Sequence, residues 1–122
     1  MTHRDLDVYK ESMKFVGEIY KLTREFPKFE MFGLASQMQR AAVSIPSNIA
    51  EGASRNGSKE YIHFLSISTG SASEIETQLG IVEILGYCNE PQDVNRLIHE
   101  VNSIRMKLIL MMKSLEKRLG KK

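Results

Sequence analysis

Apolar residues recur at steps of three and four through four stretches of the chain, and no stretch alternates with the period of two that marks a strand. The others are organised around residues 37–55, QMQRAAVSIPSNIAEGASR. Leu34, Met38, Ala41, Ile45, Ile49 and Gly52 make its apolar seam, while Gln37, Arg40, Ser44, Asn48, Glu51 and Arg55 make a polar stripe at the same period. Exposed helix faces usually carry Lys and Glu, because Ser and Asn compete for backbone hydrogen bonds and are poor interior helix formers. A helix of Ala, Ser and Asn is thin, so neighbours approach it closely. The pattern predicts a central helix packed on more than one side. Pro46 forfeits one backbone hydrogen bond and predicts a kink, with Ser44 or Ser47 placed to satisfy the freed carbonyl. The unbroken seam on both sides of Pro46 favours one kinked helix over two short ones.

Before this element, a first helix is expected from near Asp5 to the break at Pro27. Leu6, Tyr9, Met13, Val16, Tyr20 and Thr23 form one seam, and Val8, Phe15, Ile19, Leu22 and Phe26 a second beside it. Two seams make an apolar arc wider than one partner helix needs. After it, Ser58 is a candidate N-cap for a helix over 59–85, with Gly86 as its C-cap. Tyr61, Leu65, Ser68, Ala72, Ile75, Leu79 and Val82 hold its seam, Phe64, Ser71, Gln78 and Leu85 lie alongside, and the small residues Ser66, Ser68, Gly70, Ser71 and Ala72 permit close approach. Asn89-Glu90-Pro91-Gln92 reads as a capping box with proline in the first turn of a fourth helix. Its seam is Leu97, Val101, Ile104, Leu108, Met111, Leu115 and Leu119. Residues 108–112, LILMM, are apolar on every side. The expected fold is all-α, a single domain over 1–122 forming an antiparallel up-down-up-down four-helix bundle.

Composition adds limits. A chain of 122 residues with 42% apolar and 26% charged residues suits one soluble domain with a real core. The single Cys88 excludes an internal disulfide and fits a reducing cytoplasm. No charged-then-apolar opening segment or long apolar run argues for secretion or membrane spanning. The net charge of +2 hides an asymmetry: residues 60–104 hold seven acids and one base, residues 105–122 seven bases and one acid. A basic C-terminal end complements the helix dipole, and clustered cations also suit phosphate.

Constellations that carry catalysis are thin. Glu60-Tyr61-Ile62-His63 has the Glu-x-x-His spacing of a di-iron site, but such a site needs a second copy and further glutamates. Cys88 and His99 share no zinc-ligand spacing. Residues 52–59, GASRNGSK, approach a phosphate loop with the final order reversed and no preceding strand, and suit a helix–helix connection better. Residues 70–73 lie inside a helical seam and do not form a nucleophile elbow. No enzyme, metal or cofactor is expected.

The blocks RAAVSIPSNIAEG (residues 40–52) and GSASEIETQL (residues 70–79), with Glu60 and Phe64-Leu65 between them, resemble the 23S rRNA-intervening-sequence protein family. The likeness extends over nearly the whole chain, including the Phe26-Pro27 turn and Gln37 ahead of Arg40. It implies a bacterial four-helix bundle without catalytic residues, of a kind tied to insertions in large-subunit rRNA genes. Related accessory proteins of diversity-generating retroelements form pentameric barrels that bind nucleic acid and a reverse transcriptase through basic surfaces. The resemblance therefore implies a homo-oligomer, a pentamer in that branch, with RNA or a protein such as a reverse transcriptase as partner. The chain differs from that strongly basic branch in its weak net charge and acidic third helix.

Two residue sets follow as candidates. Arg40, Asn48, Glu51, Arg55, Glu60 and Glu74 are expected to form a structural polar network that fixes bundle register. Arg40 and Glu51 are expected at least partly buried, with partners outside their own helix, because desolvated charges must be paired. A phosphate on Arg40 or Arg55 is the alternative. Arg105, Lys107, Lys113, Lys117, Arg118, Lys121 and Lys122 are the nucleic-acid candidates. With no aromatic residue among them, binding would be electrostatic and salt-sensitive. A nucleic-acid-associated module and an oligomeric adaptor are the two functions this sequence supports.

Overall fold

The computed structural model describes residues 2–120. Four helices carry the fold: α1 (Asp7–Thr23), α2 (Leu34–Ser54), α3 (Ser58–Leu85) and α4 (Pro91–Gly120). Short 3-10 turns occupy His3–Asp5 and Lys28–Glu30, and no strand occurs among the described residues. Each helix packs on the next in sequence and α1 closes the ring against α4, while the diagonal pairs do not pack backbone to backbone. Side-chain links run in opposite order along neighbours: Ser68 to Ile45 and Ser71 to Ser44 between α3 and α2, Glu18 to Arg96 and Glu11 to Lys107 between α1 and α4. The bundle is therefore antiparallel throughout, as short connections demand.

The predicted seams become the core. Phe15, Ile19, Met38, Ile45, Ile49, Leu65, Ile75, Leu79, Leu97, Ile104 and Leu108 are almost fully buried. On α1 the second seam takes the core, with Val8, Phe15, Ile19, Leu22 and Phe26 all buried. The first seam is only partly covered: Leu6, Tyr9 and Val16 pack against the core and Thr23 is buried, while Met13 is 51% exposed and Tyr20 38%. Pro46 is buried inside an α2 that runs unbroken from Leu34 to Ser54. Ser44 Oγ does not turn back along the helix there: it accepts from Asn48 Nδ2 at 3.0 Å and from Ser71 Oγ at 2.9 Å.

α1 ends at Thr23, before Pro27 as expected, and residues 24–26 turn off it. Other local expectations are corrected. Gly57, at φ 99°, takes the position before α3, so Ser58 is the first helical residue rather than its cap. That left-handed backbone favours glycine. The Asn89 amide donates to Glu25 Oε1 at 2.8 Å, so the loop before α4 is tied to the α1 end and not closed as a capping box. Gly70 has open space beside it and Ser66 is exposed, so close approach in α3 rests on Ser68 and Ala72, both buried. Gly86 does cap α3 in the left-handed conformation, at φ 68°.

Candidate functional site

Of the polar stripe of α2, Ser44 and Asn48 border the seam with α3, while Gln37, Arg40, Glu51 and Arg55 are exposed. Gly52 marks the point of contact. A Cβ built there would stand 2.9 Å from Phe64 Cβ and from Tyr61 Cδ1, and 3.3 Å from the Tyr61 carbonyl. Two turns nearer the middle, the buried Ser68 hydroxyl donates to the Ile45 carbonyl at 2.8 Å. Asn48 Nδ2 donates to the Ser44 carbonyl at 2.8 Å, joining a hydroxyl chain that crosses to Ser71. Small side chains and side-chain-to-backbone bonds thus replace the bulky contacts of an ordinary helix pair.

The six-residue network expected from the sequence does not assemble as one unit within the chain. Asn48 is part-buried and bonded as described. Glu51 is exposed, and its partner is Arg55 on the same helix, at 2.9 Å. Arg55 reaches further, its guanidinium 5.0 Å from the centre of the Phe64 ring on α3. Glu74 is exposed and accepts from Gln78 Nε2 at 3.3 Å, while Gln78 Oε1 is buried without a hydrogen bond in the described chain. Glu60 and His63 are both exposed. Arg40 is exposed and makes no hydrogen bond or ion pair among the described residues. Burial of Arg40 and Glu51, expected from their helical spacing, is therefore corrected. Both point outward from a helix whose seam needs only small residues, and water supplies their solvation.

The basic set divides in two. Arg105 Nη2 bonds Asn102 Oδ1 at 2.7 Å and lies 3.7 Å from Glu76, and Lys107 pairs with Glu11. Both hold helices together. Lys113, Lys117 and Arg118 are exposed near the end of α4 and have no carboxylate partner among the described residues. Lys121 and Lys122 lie outside the described residues.

A charged cluster not anticipated from the sequence joins α1 to α4. Arg96 lies 2.5 Å from Glu18, 3.0 Å from Glu100 and 3.7 Å from Asp93. Its signal was present, since Arg96 is the single base among the acids of residues 60–104. Burial raises the Glu18 carboxyl, but hydrogen bonds to Arg96 and Glu100 and the charges of Arg96 and Lys14 outweigh it, so its pKa falls. Burial and the adjoining Glu18 raise Glu100. The ionised form of Glu18 is thus favoured by folding, a contribution present above the ordinary glutamate range and lost as pH falls through its lowered pKa. Glu100 behaves oppositely, favouring folding in its protonated form and losing that contribution as pH rises through its raised pKa. Glu18→Gln is expected to lower the melting temperature at pH 7 and to have little effect at pH 3. Glu100→Gln, which keeps an acceptor for Arg96, is expected to leave it unchanged or raise it at pH 7. The difference is about 1 kcal/mol or less for a pair this exposed, and thermal melts at the two pH values check it.

Burial pushes the Cys88 thiol up, leaving it protonated rather than poised as a nucleophile. Among the described residues, no three His, Cys, Asp or Glu side chains gather as a metal site.

The remaining surface feature is apolar. Tyr20 and Val43 line one groove between α1 and α2 together with Arg40, and Met13 lies two turns along the same face of α1. On α4, Met106 is 52% exposed and Leu110 61%. Residues 108–112 thus place Leu108 in the core and turn Leu110 to the outside, as an all-round apolar run must.

An antiparallel four-helix bundle with a thin α2/α3 seam and uncovered apolar residues, those of the two stripes together with Phe29 and Phe32 in the α1–α2 turn and Ile84 near the end of α3, is the class these features define. Residues 4–110 match the 23S rRNA-intervening sequence protein family. The chain belongs to that family. A crystal structure of a protein of unknown function from the S23 ribosomal protein family of Bacteroides thetaiotaomicron superposes with a TM-score of 0.79. It is 23% identical and the match covers 87% of this chain and 95% of that one. The likeness extends the fold to a solved example. No curated protein matches the chain in sequence. No helix among the described residues is long and apolar enough to cross a membrane.

Proposed function

We propose that the protein is a non-enzymatic bundle that works as a homo-oligomer, offering a multivalent platform to a partner. The observation that carries this reading is the pair of exposed apolar stripes on separate faces, Met13, Tyr20 and Val43 on α1 and α2, and Met106 and Leu110 on α4. Single exposed apolar residues are ordinary, but stripes repeated along helix faces are the usual mark of an interaction surface. Two different faces suit a heterologous contact, in which one copy's stripe covers the other stripe of its neighbour, and such contacts close into rings. Arg40, unpaired among the described residues, borders the first stripe and is free to meet an acid of the next subunit. A ring of five comes from the resemblance to retroelement accessory proteins, not from the stripes. The double substitution Met106→Glu/Leu110→Glu is expected to give a folded, helical monomer by sedimentation, because the charges lie outside the core. An unchanged sedimentation coefficient would remove α4 from the interface.

Association with RNA or another nucleic acid is the second reading, favoured by Lys113, Lys117 and Arg118, which have no carboxylate partner among the described residues. Three cations support modest, non-specific affinity that falls steeply with salt.

A further inference from the structure

At one end of the bundle the chain enters α1, leaves α2, enters α3 and completes α4. An open basin of about 830 Å³ lies there, within the range of small-ligand sites. Arg4, from the 3-10 turn, and Arg118, from the last turns of α4, both line it, with His3 and Tyr61 beside them. None of the described residues lining it is a carboxylate. Neither guanidinium has an ion-pair partner among the described residues, unlike Arg55, Arg96 and Arg105. Two like charges around one depression repel each other, and an anion between them removes that cost. The Tyr61 hydroxyl makes no hydrogen bond among the described residues and is held protonated by burial, so it remains a donor. His3 packs edge-on against Tyr9, ring centres 4.9 Å apart, which fixes it at the rim. Two helices begin and two end at this side, so their dipoles largely offset and the arginines carry the field.

From these features we infer that the basin between Arg4 and Arg118 is a phosphate-binding site. Planar guanidiniums suit phosphate through paired N–H donors, and a free phenol adds a third contact. The phosphate arrives either as a free anion or on a nucleic-acid strand. The site is built within one chain, so it does not depend on oligomerisation.

Titration of the full-length protein, followed by NMR at constant ionic strength, tests it with three probes. They are inorganic phosphate, a short 5′-phosphorylated oligonucleotide and the same oligonucleotide without its phosphate. Phosphate is expected to shift resonances of Arg4, Tyr61 and Arg118. Arg4→Ala and Arg118→Ala are each expected to weaken binding about ten- to hundredfold, the loss of one charge-assisted contact. Lys28→Ala, an exposed cation at the opposite end of the bundle, is expected to leave inorganic phosphate binding unchanged. Tighter binding of the phosphorylated strand than of either other probe identifies a nucleic-acid end as the source. Equal affinity for inorganic phosphate identifies the free anion. Phosphate that shifts no resonance at the basin, or binding indifferent to both arginine variants when their helicity is intact, overturns the assignment. Repeating the titration on Met106→Glu/Leu110→Glu separates the two proposals, since monomerisation is expected to leave phosphate binding in place.

Discussion

Phe15→Ala is expected to lower the unfolding free energy by about 3–5 kcal/mol, the cost of deleting a buried aromatic ring. Phe15 is 1% exposed and sits midway along α1, with Ser12 and Ile19 buried on either side. α1 is the shortest of the four helices, at 17 residues, and it packs only on α2 and α4. Its other apolar seam is half exposed, so nothing on that side compensates for a lost ring. The neighbouring α4 residue Ile104 is itself 2% exposed and held in the opposite wall, which limits collapse into the cavity. Denaturant unfolding with an unchanged slope measures the loss directly. Met13→Ala on the same helix, at a half-exposed position, is expected to cost far less in a monomer.

Gly52→Ala is expected to destabilise by about 1–3 kcal/mol, although alanine is the better helix former. The added methyl would meet Phe64 Cβ and Tyr61 Cδ1 at 2.9 Å, so α2 and α3 must move apart or both aromatic residues must shift. Separation would also lengthen the Ser68–Ile45 and Ser71–Ser44 bonds that lie further along the same seam. Gly70→Ala supplies the contrast. Nothing lies within 4 Å of a Cβ there, so the same substitution is expected to stabilise by about 0.5–1 kcal/mol. Chemical denaturation of the two variants gives opposite signs if packing decides the outcome. Stabilisation by both would mean that helix propensity alone governs them, and destabilisation by Gly70→Ala would contradict the open space at that position.

The seams, the helix order and the antiparallel bundle were legible because each buried face repeats at the helical period over many residues. Leu65, Ser68, Ala72, Ile75, Leu79 and Val82 all lie where the period places them. Thinness at the α2/α3 contact was legible too: Gly52, Ser68 and Ala72 make it as their spacing suggests, whereas Gly70 and Ser66, equally small, turn to solvent. Charged residues were harder to place. Spacing along α2 puts Arg40 and Glu51 on one face but does not say how far the neighbouring helix covers that face. Arg4 was invisible as a site residue, since it meets Arg118 only when the two ends of the chain come together in the closed bundle. Arg96 could have been found, as a lone base with Asp93 and Glu100 at helical spacing.

Whether the exposed stripes are covered by other copies is decided by the mass of the native protein in solution. Light scattering on the 13.9 kDa chain at micromolar concentration and physiological salt is expected to return a whole-number multiple of that mass. Twice that mass, a dimer, would keep the apolar interface and exclude a ring, whereas a mass of 13.9 kDa would contradict the homo-oligomer.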